Sequence, residues 1–474
     1  MRRFPPAFYV FATVYGLLLL VTCLLLPLHL DEVLQAAAFE HFSLKNMFEW
    51  IAKTPGGGPL CYLVQLPFAL LSHSRLVLRL PSLLFALGSC FLFFQLTRLI
   101  PLRRPYLALL IFLAVPVHYY FAGQARPFEQ GLFLLLLAAL FFFRLVETPT
   151  PRNAIWYAVV LTAGLYTHWA SFMPAVGYVL FLLRFASGKS ERRALWFALP
   201  PTVVPLLLFA PYYVWAHSHL DGVWLSGQPY PGGDWSVWTG AALAVLLLIG
   251  LIGGAWSTFP SWRRLMADSL MLAPVVPELR RKRIVVFCLS GGAVAALVPA
   301  AIAAVNITAF TPNEFLWAVP GLVLVSCAAL ERLSTLVLPP MFAMLSPVFR
   351  ALSPALAILL FALSIPPDAF YLLSPPGDLQ ALTALIRPEL GADGCLVFVS
   401  EGLSRNLFLL FEPDLETREC RDFAHQRVVL AEHPYVAPAD QRNAELYFRG
   451  LNFVEKKRQS TAGGQVVTLD EDSN

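Results

Sequence analysis

Long apolar runs, broken by short polar connections, recur along most of the chain. They predict membrane-crossing helices at about residues 7–28, 78–98, 105–122, 128–146, 154–168, 170–185, 194–215, 237–256, 284–304, 315–335 and 350–366. A run of about 20 apolar residues spans a hydrocarbon core of roughly 30 Å as a helix. The pair 154–168 and 170–185 is short and joined by a tight turn at Thr167-His168-Trp169. The opening Met1-Arg2-Arg3 and its apolar run resemble a signal peptide. No small-residue cleavage pattern follows, so the run is expected to persist as the first span.

The polar connections divide by charge. Arginines and lysines gather at Arg2-Arg3, Arg98 to Arg104, Arg144 to Arg152, Arg184 to Arg193, Arg263-Arg264 and Arg280 to Arg283, with weaker signals at Arg332 and Arg350. The connections around Asp221 and Asp234, and from Asn306 to Glu314, are poor in basic residues. The positive-inside rule places the first set in the cytoplasm. Eleven spans then leave the N-terminus inside and the tail after Pro366 outside.

Two stretches of the first external loop, 29–77, do not suit spans. Residues 31–53 mix charged and aromatic positions (His41, Lys45, Glu49, Trp50, Lys53) and suit helices lying at headgroup level. Residues 59–73 are apolar but too short to cross, which suits a re-entrant or interfacial helix. From about Leu373 the composition becomes that of a soluble domain. Strand-like runs at Cys395-Leu-Val-Phe-Val, Arg427-Val-Val-Leu and Gln465-Val-Val-Thr-Leu, with a helix-like stretch from Leu403 to Phe411, predict a small α/β domain. The fold class is an all-α polytopic membrane module, 1–372, followed by an extracytoplasmic domain, 373–474.

Composition agrees: 58% of residues are hydrophobic and 14% charged, against about 25% charged in a soluble domain. The net charge of +4 is small and scattered, which argues against a nucleic-acid partner. The seven cysteines show no metal-ligand spacing. Cys395 and Cys420, in the tail, could pair in an oxidising compartment.

Four polar groups fall on the predicted external boundary. Asp31-Glu32 ends the first span. A carboxylate there can take a proton from an acceptor hydroxyl or help hold a divalent metal, or it can be a solvated loop acid. Arg126, in the turn Gly123-Gln124-Ala125-Arg126-Pro127-Phe128-Glu129, can grip a lipid phosphate through its planar guanidinium or simply snorkel. Glu129 lies one turn on, in position to pair with Arg126. Arg75 and Arg79 sit on the external side against the positive-inside trend. That calls either for an anionic ligand or for an ion pair with the 31–32 loop. His168, beside Trp169, can touch substrate or serve as an interfacial structural residue. Charged groups beside hydrocarbon are expensive and usually functional. Together these suggest a site where a membrane-anchored anion meets a polar acceptor.

The same residues carry a family resemblance. Six segments stand in order: Leu30-Asp31-Glu32, Gly58-Pro59-Leu60-Cys61-Tyr62, Arg79-Leu80-Pro81-Ser82-Leu83, Gln124-Ala125-Arg126-Pro127-Phe128, Leu165-Tyr166-Thr167-His168 and Ala318-Val319-Pro320-Gly321-Leu322. The chain resembles the GT-C fold glycosyltransferases that use polyprenyl-phosphate sugars, in the family 39-like group of bacterial protein O-mannosyltransferases and aminoarabinose transferases. The resemblance covers about residues 7–335. It implies Asp31 as general base or metal-coordinating acid, Glu32 beside it in the same role, and Arg126 near the donor phosphate. It also implies inversion at the anomeric carbon, a lipid, glycan or protein acceptor, and a bacterial inner-membrane location with the site on the extracytoplasmic face. The chain departs from the pattern at three points. Thr54-Pro55-Gly56-Gly57-Gly58 replaces the His- or Lys-Pro of relatives, leaving Lys53 as the substitute cation. Gln124 stands where an acid is common, and Asn313-Glu314-Phe315 stands where Arg-Tyr is common.

A transporter or flippase of lipid-linked saccharides is the alternative. It predicts charged or Gly/Pro-broken helices at mid-membrane, whereas the polar groups here crowd one boundary. A scaffold acting through the tail after Leu373 is the third reading.

Overall fold

The computed structural model describes residues 4–25, 57–72, 74–99, 102–185, 189–218, 316–333, 379–390, 394–398, 427–432, 453–461 and 464–471, together with Glu32, Gln35, Ala36, Phe39, Ser43, Met47, Phe48 and Ile51. The spans expected at 237–256, 284–304 and 350–366 lie outside the described residues, as does the helix at 403–411.

Proline sets where most of the helices begin. α1 (Pro6–Leu25), α2 (Pro59–Leu71), α4 (Pro105–Ala114), α5 (Pro116–Ala122), α6 (Pro127–Glu147) and α7 (Pro151–Thr167) each open on one. Proline lacks an N–H that the first turn would leave unbonded anyway, and its φ is already helical. α3 runs Arg75–Leu99, α8 Met173–Phe185, α9 Lys189–Ser218 and α10 Val319–Leu333, with a 3₁₀ turn at Trp169–Phe172 before α8.

The same rule corrects one predicted span. The run 105–122 is two helices, because Pro116 cannot continue α4 and holds Val115 extended at φ −63° and ψ 124°. The pair at 154–185 also differs from two plain spans. α7 ends at Thr167, and the 3₁₀ turn takes up the next residues, so that α8 has only 13. The segment 59–73 is the 13-residue helix α2, as its length implied.

Among the described residues, Pro6–Leu25, Arg75–Leu99, Pro127–Glu147 and Arg192–Tyr212 are helical stretches long and apolar enough to cross a bilayer. Their outward faces are apolar too. Tyr9, Val10, Val14, Leu17, Leu18 and Val21 on α1, and Trp196, Leu207 and Leu208 on α9, are exposed. Apolar exposure on that scale suits lipid rather than water as the surrounding medium. The protein is a multi-pass membrane protein.

Helix α6 packs against α3 and α7. Inside the bundle, Phe93 stacks on Phe112 at 4.1 Å and Phe142 on Tyr178 at 4.6 Å between ring centroids. Thr22 and Tyr119 share a hydrogen bond of 2.9 Å that joins α1 to α5.

In the tail, β1 (Gly394–Phe398), β2 (Arg427–Glu432), β3 (Phe453–Thr461) and β4 (Gly464–Glu471) form a sheet of order β1-β2-β4-β3. β1 and β2 are parallel; β4 runs antiparallel to both β2 and β3. Cys395, Leu430, Val467 and Leu469 form its core, with α11 (Leu379–Leu390) against it. Strand β3 and helix α11 are additions to the elements that the pattern predicts. The β3 run Phe453-Val-Glu-Lys-Lys-Arg-Gln-Ser-Thr is too charged to show an apolar alternation. Cys395 is disulfide-bonded, and its partner lies outside the described residues.

Candidate active site

The site is built where helix ends meet. The C-terminal part of α1, the first turns of α3, the turn between α5 and α6, the end of α7 and the residues opening α10 supply it. All but the α1 end belong to segments that carry the family resemblance or adjoin them, brought together from across the chain.

At its base is an ion pair. Arg79 Nε donates to Glu32 Oε1 at 2.8 Å, Arg79 Nη2 donates to Glu32 Oε2 at 2.6 Å, and neither side chain is exposed. This is the fork-to-fork geometry in which Arg grips a carboxylate best. Arg79 Nη1 also donates to the Cys23 carbonyl, 3.3 Å, tying α3 to α1. Of the two readings left open for Arg79, the structure contains the ion pair. Glu32 is equally committed, since its Oε1 also accepts the Ala125 N–H at 2.6 Å. That bond fixes the turn carrying Arg126.

Local chemistry shapes that turn. Gln124 O accepts the Arg126 N–H at 2.8 Å. Pro127, at the first position of α6, keeps Arg126 extended at φ −129° and ψ 162°. The Ser82 hydroxyl donates to the Arg126 carbonyl at 3.5 Å. The Arg126 side chain, 8% exposed, lies over the Phe128 ring with its guanidinium carbon 5.7 Å from the centroid.

His168 follows α7 in the turn. Its Nδ1 accepts the Ala170 N–H at 3.2 Å, so that nitrogen carries no proton. Burial first, and the Arg126 charge second, push its pKa down to about 3 and keep the imidazole neutral. Its ring lies 5.1 Å from Phe128 and 5.0 Å from Trp317, forming an aromatic wall beside Arg126. Gly131 of α6 allows this packing, since a Cβ there would stand 2.7 Å from Trp317 Cη2. Gly131→Ala is therefore expected to displace the indole and destabilise the solubilised protein by about 1–3 kcal/mol. Thermal melting checks this, and an unchanged melting temperature would refute the packing.

The expected Arg126–Glu129 pair does not form. Glu129 faces His118 instead, with His118 Nε2 3.5 Å from its Oε1 and both side chains buried. The broken helix at Pro116 delivers His118 to α6, where it lies tilted against Phe112 and stacked on Tyr15. The sequence holds a signal for it, an ionisable residue inside an apolar run. Gln35, Gln65 and Trp317 escape sequence reasoning altogether, because uncharged polar residues in apolar company do not stand out.

Asp31 and Lys53 lie outside the described residues. Among the described residues no group of three His, Cys, Asp or Glu is placed to hold a metal ion.

No family model and no curated protein matches the chain by sequence. Among solved structures it is similar to ArnT from Cupriavidus metallidurans bound to undecaprenyl phosphate, at 12% identity and TM-score 0.50 over 98% of both chains. The apo state of that protein gives 13% identity and TM-score 0.51, over 98% of this chain and 97% of that one. An Archaeoglobus fulgidus oligosaccharyltransferase tethered with an acceptor peptide gives 13% identity and TM-score 0.38, over 81% of this chain and 57% of that one. The likeness to ArnT runs end to end: the chain has the GT-C membrane fold.

Proposed function

We propose that the chain is a membrane glycosyltransferase. It takes a sugar from a polyprenyl-phosphate donor and passes it to an extracytoplasmic lipid, glycan or protein acceptor. One hydrogen bond carries the reading, that from Ala125 N–H to Glu32 Oε1. Ala125 precedes Arg126, and Glu32 follows Asp31. The immediate neighbours of the two groups the reaction needs are thus bonded to each other. The shared fold with ArnT, a protein seen with undecaprenyl phosphate, supports the choice of donor.

In this reading Asp31 is the general base. It accepts the acceptor's hydroxyl proton as that oxygen attacks the anomeric carbon. The bond from that carbon to the phosphate oxygen breaks on the opposite face, and its electron pair leaves on the polyprenyl phosphate. Arg126 stabilises that developing charge in a desolvated setting, where a fixed cation acts most strongly. Glu32 and Arg79 are positioning residues that hold the chain on either side. Lys53 is assigned to the donor phosphate and His168 to the sugar side of the site, as a neutral group. Glu129, three residues after Arg126, faces His118.

The site is assigned to the outer face of the bacterial cytoplasmic membrane, with eleven spans in residues 1–372 and an extracytoplasmic domain in 373–474. The disulfide at Cys395 supports that side for the domain, since such bonds persist in oxidising compartments.

Asp31→Asn is the test. Reconstituted with polyprenyl-phosphate sugars and envelope acceptors, it is expected to lose about 10²–10⁴-fold in transfer rate. Its expression and melting should match the wild type. Normal transfer by that variant would remove the assignment.

A further inference from the structure

Arg126 is the last residue of the connection between α5, which ends at Ala122, and α6, which begins at Pro127. Glu32 and Ser82 bond to the backbone of that connection. Its two ends are tied by contacts between the helices themselves. The Phe121 and Phe128 rings lie 4.1 Å apart next to it. Further back on α5, His118 Nε2 faces Glu129 Oε1 at 3.5 Å, and neither side chain is exposed.

Local capping does not account for Glu129. A glutamate three residues past a helix's N-cap can bend back to the N–H of that cap. Here the cap is Arg126, and its N–H is already donated to the Gln124 carbonyl. Stability does not account for the pair either. Among the described residues, no hydrogen bond reaches either Glu129 oxygen or either His118 nitrogen. Burying such groups unbonded is costly, and two apolar side chains would fill the place at less cost. What the pair adds is direction. An ionised carboxylate only accepts, so the contact attracts when His118 Nε2 carries a proton. At 3.5 Å it is an electrostatic contact rather than a formed hydrogen bond. The aromatic rings of Phe112 and Tyr15, 4.3 Å and 6.0 Å from the imidazole between centroids, leave that attraction little screened.

We propose that His118 and Glu129 are positioning residues for Arg126: their contact fixes α5 against α6 and so sets where the guanidinium meets the donor phosphate. The inference rests on the glycosyltransferase reading, which assigns that phosphate to Arg126. It gives Glu129 a partner in the protein instead of one in the substrate. Arg126 directly precedes α6 and Glu129 sits in the first turn of that helix, so a shift of α6 against α5 carries Arg126 with it. A displacement of about 1 Å is enough to cost a positioned group much of its effect.

The full-length protein in lipid nanodiscs is titrated with short-chain polyprenyl phosphate, with no sugar and no acceptor present. Arg126→Met should weaken binding, because it removes the cation. His118→Phe and Glu129→Leu together leave no unbonded polar group at the pair, so this double variant should melt no lower than the wild type. It should nevertheless bind polyprenyl phosphate about fivefold to fiftyfold more weakly. In the Arg126→Met background the same two substitutions should weaken binding by less than about twofold further, which marks action through Arg126. Each single substitution should weaken binding in the same direction if the double variant does not fold. Wild-type affinity in these variants would overturn the inference, as would equal losses with and without Arg126. A wild type that binds the lipid, weakened by Arg126→Met and by no substitution of the pair, defeats this inference alone. A wild type that binds no polyprenyl phosphate, or an Arg126→Met variant that binds it equally well, defeats the glycosyltransferase reading with it.

Discussion

Arg79→Met is expected to destabilise the protein by about 3–5 kcal/mol, the range for breaking a buried pair by removing one partner. An exposed pair would contribute only about 0–1 kcal/mol, and burial decides between the two regimes. Neither Arg79 nor Glu32 has any exposure. Methionine fills a similar volume but leaves the Glu32 carboxylate buried without the Arg79 guanidinium that grips both its oxygens. The variant should melt well below the wild type in detergent, and its sugar transfer should fall because the Arg126 turn loses its anchor. Glu32→Gln in the Arg79→Met background should restore much of the loss. The glutamine oxygen can still accept the Ala125 N–H, and no buried charge remains. The two substitutions should therefore be far from additive. A wild-type melting temperature for Arg79→Met alone would show that the pair is not closed to water as described.

Gly58→Ala should be nearly as damaging, for a steric reason. A Cβ at Gly58 would lie 2.2 Å from the Tyr166 carbonyl oxygen and 2.5 Å from its carbon, both backbone atoms that no rotamer change can move. The Gly58 φ of −93° is ordinary, so close approach rather than backbone conformation demands glycine here. The contact is also bonded, with Gly58 N–H donating to the Thr167 carbonyl at 2.7 Å. Forcing a methyl group in must separate the start of α2 from the end of α7, next to His168. The expected loss lies at or above the top of the roughly 1–3 kcal/mol seen for overpacked cores. Transfer activity should fall with it. Gly57→Ala is the control, because its Cβ would meet only the Tyr62 ring, at 3.0 Å. Equal melting temperatures for the two variants would contradict the close approach.

Both results bear on how the site is assembled. It has no continuous stretch of chain behind it. The Gly58–Thr167 backbone bond holds α2 to α7, the Glu32–Arg79 ion pair holds α3 to the residue after Asp31, and bonds from Ala125 N–H to Glu32 and from Ser82 to the Arg126 carbonyl hold the Arg126 turn. Substitutions away from the reacting groups should therefore change rate through geometry, as expected when catalysis depends on position.

Membrane embedding, the starts of the helices and the short α2 are legible in local pattern: long apolar runs, proline at first turns, a run too short to cross. The polar segments that build the site also stand out individually, because a charge beside hydrocarbon is conspicuous wherever it occurs. Partner choice is decided only in three dimensions. Arg79 could meet a ligand or Glu32, and Glu129 could meet Arg126 one turn away or His118 from another helix. Spacing along one helix favours Arg126 for Glu129, and the break at Pro116 favours His118. The His118–Glu129 contact is invisible in the sequence for the same reason. Whether a buried polar group finds a partner depends on what other helices bring to it, which no single stretch of chain records.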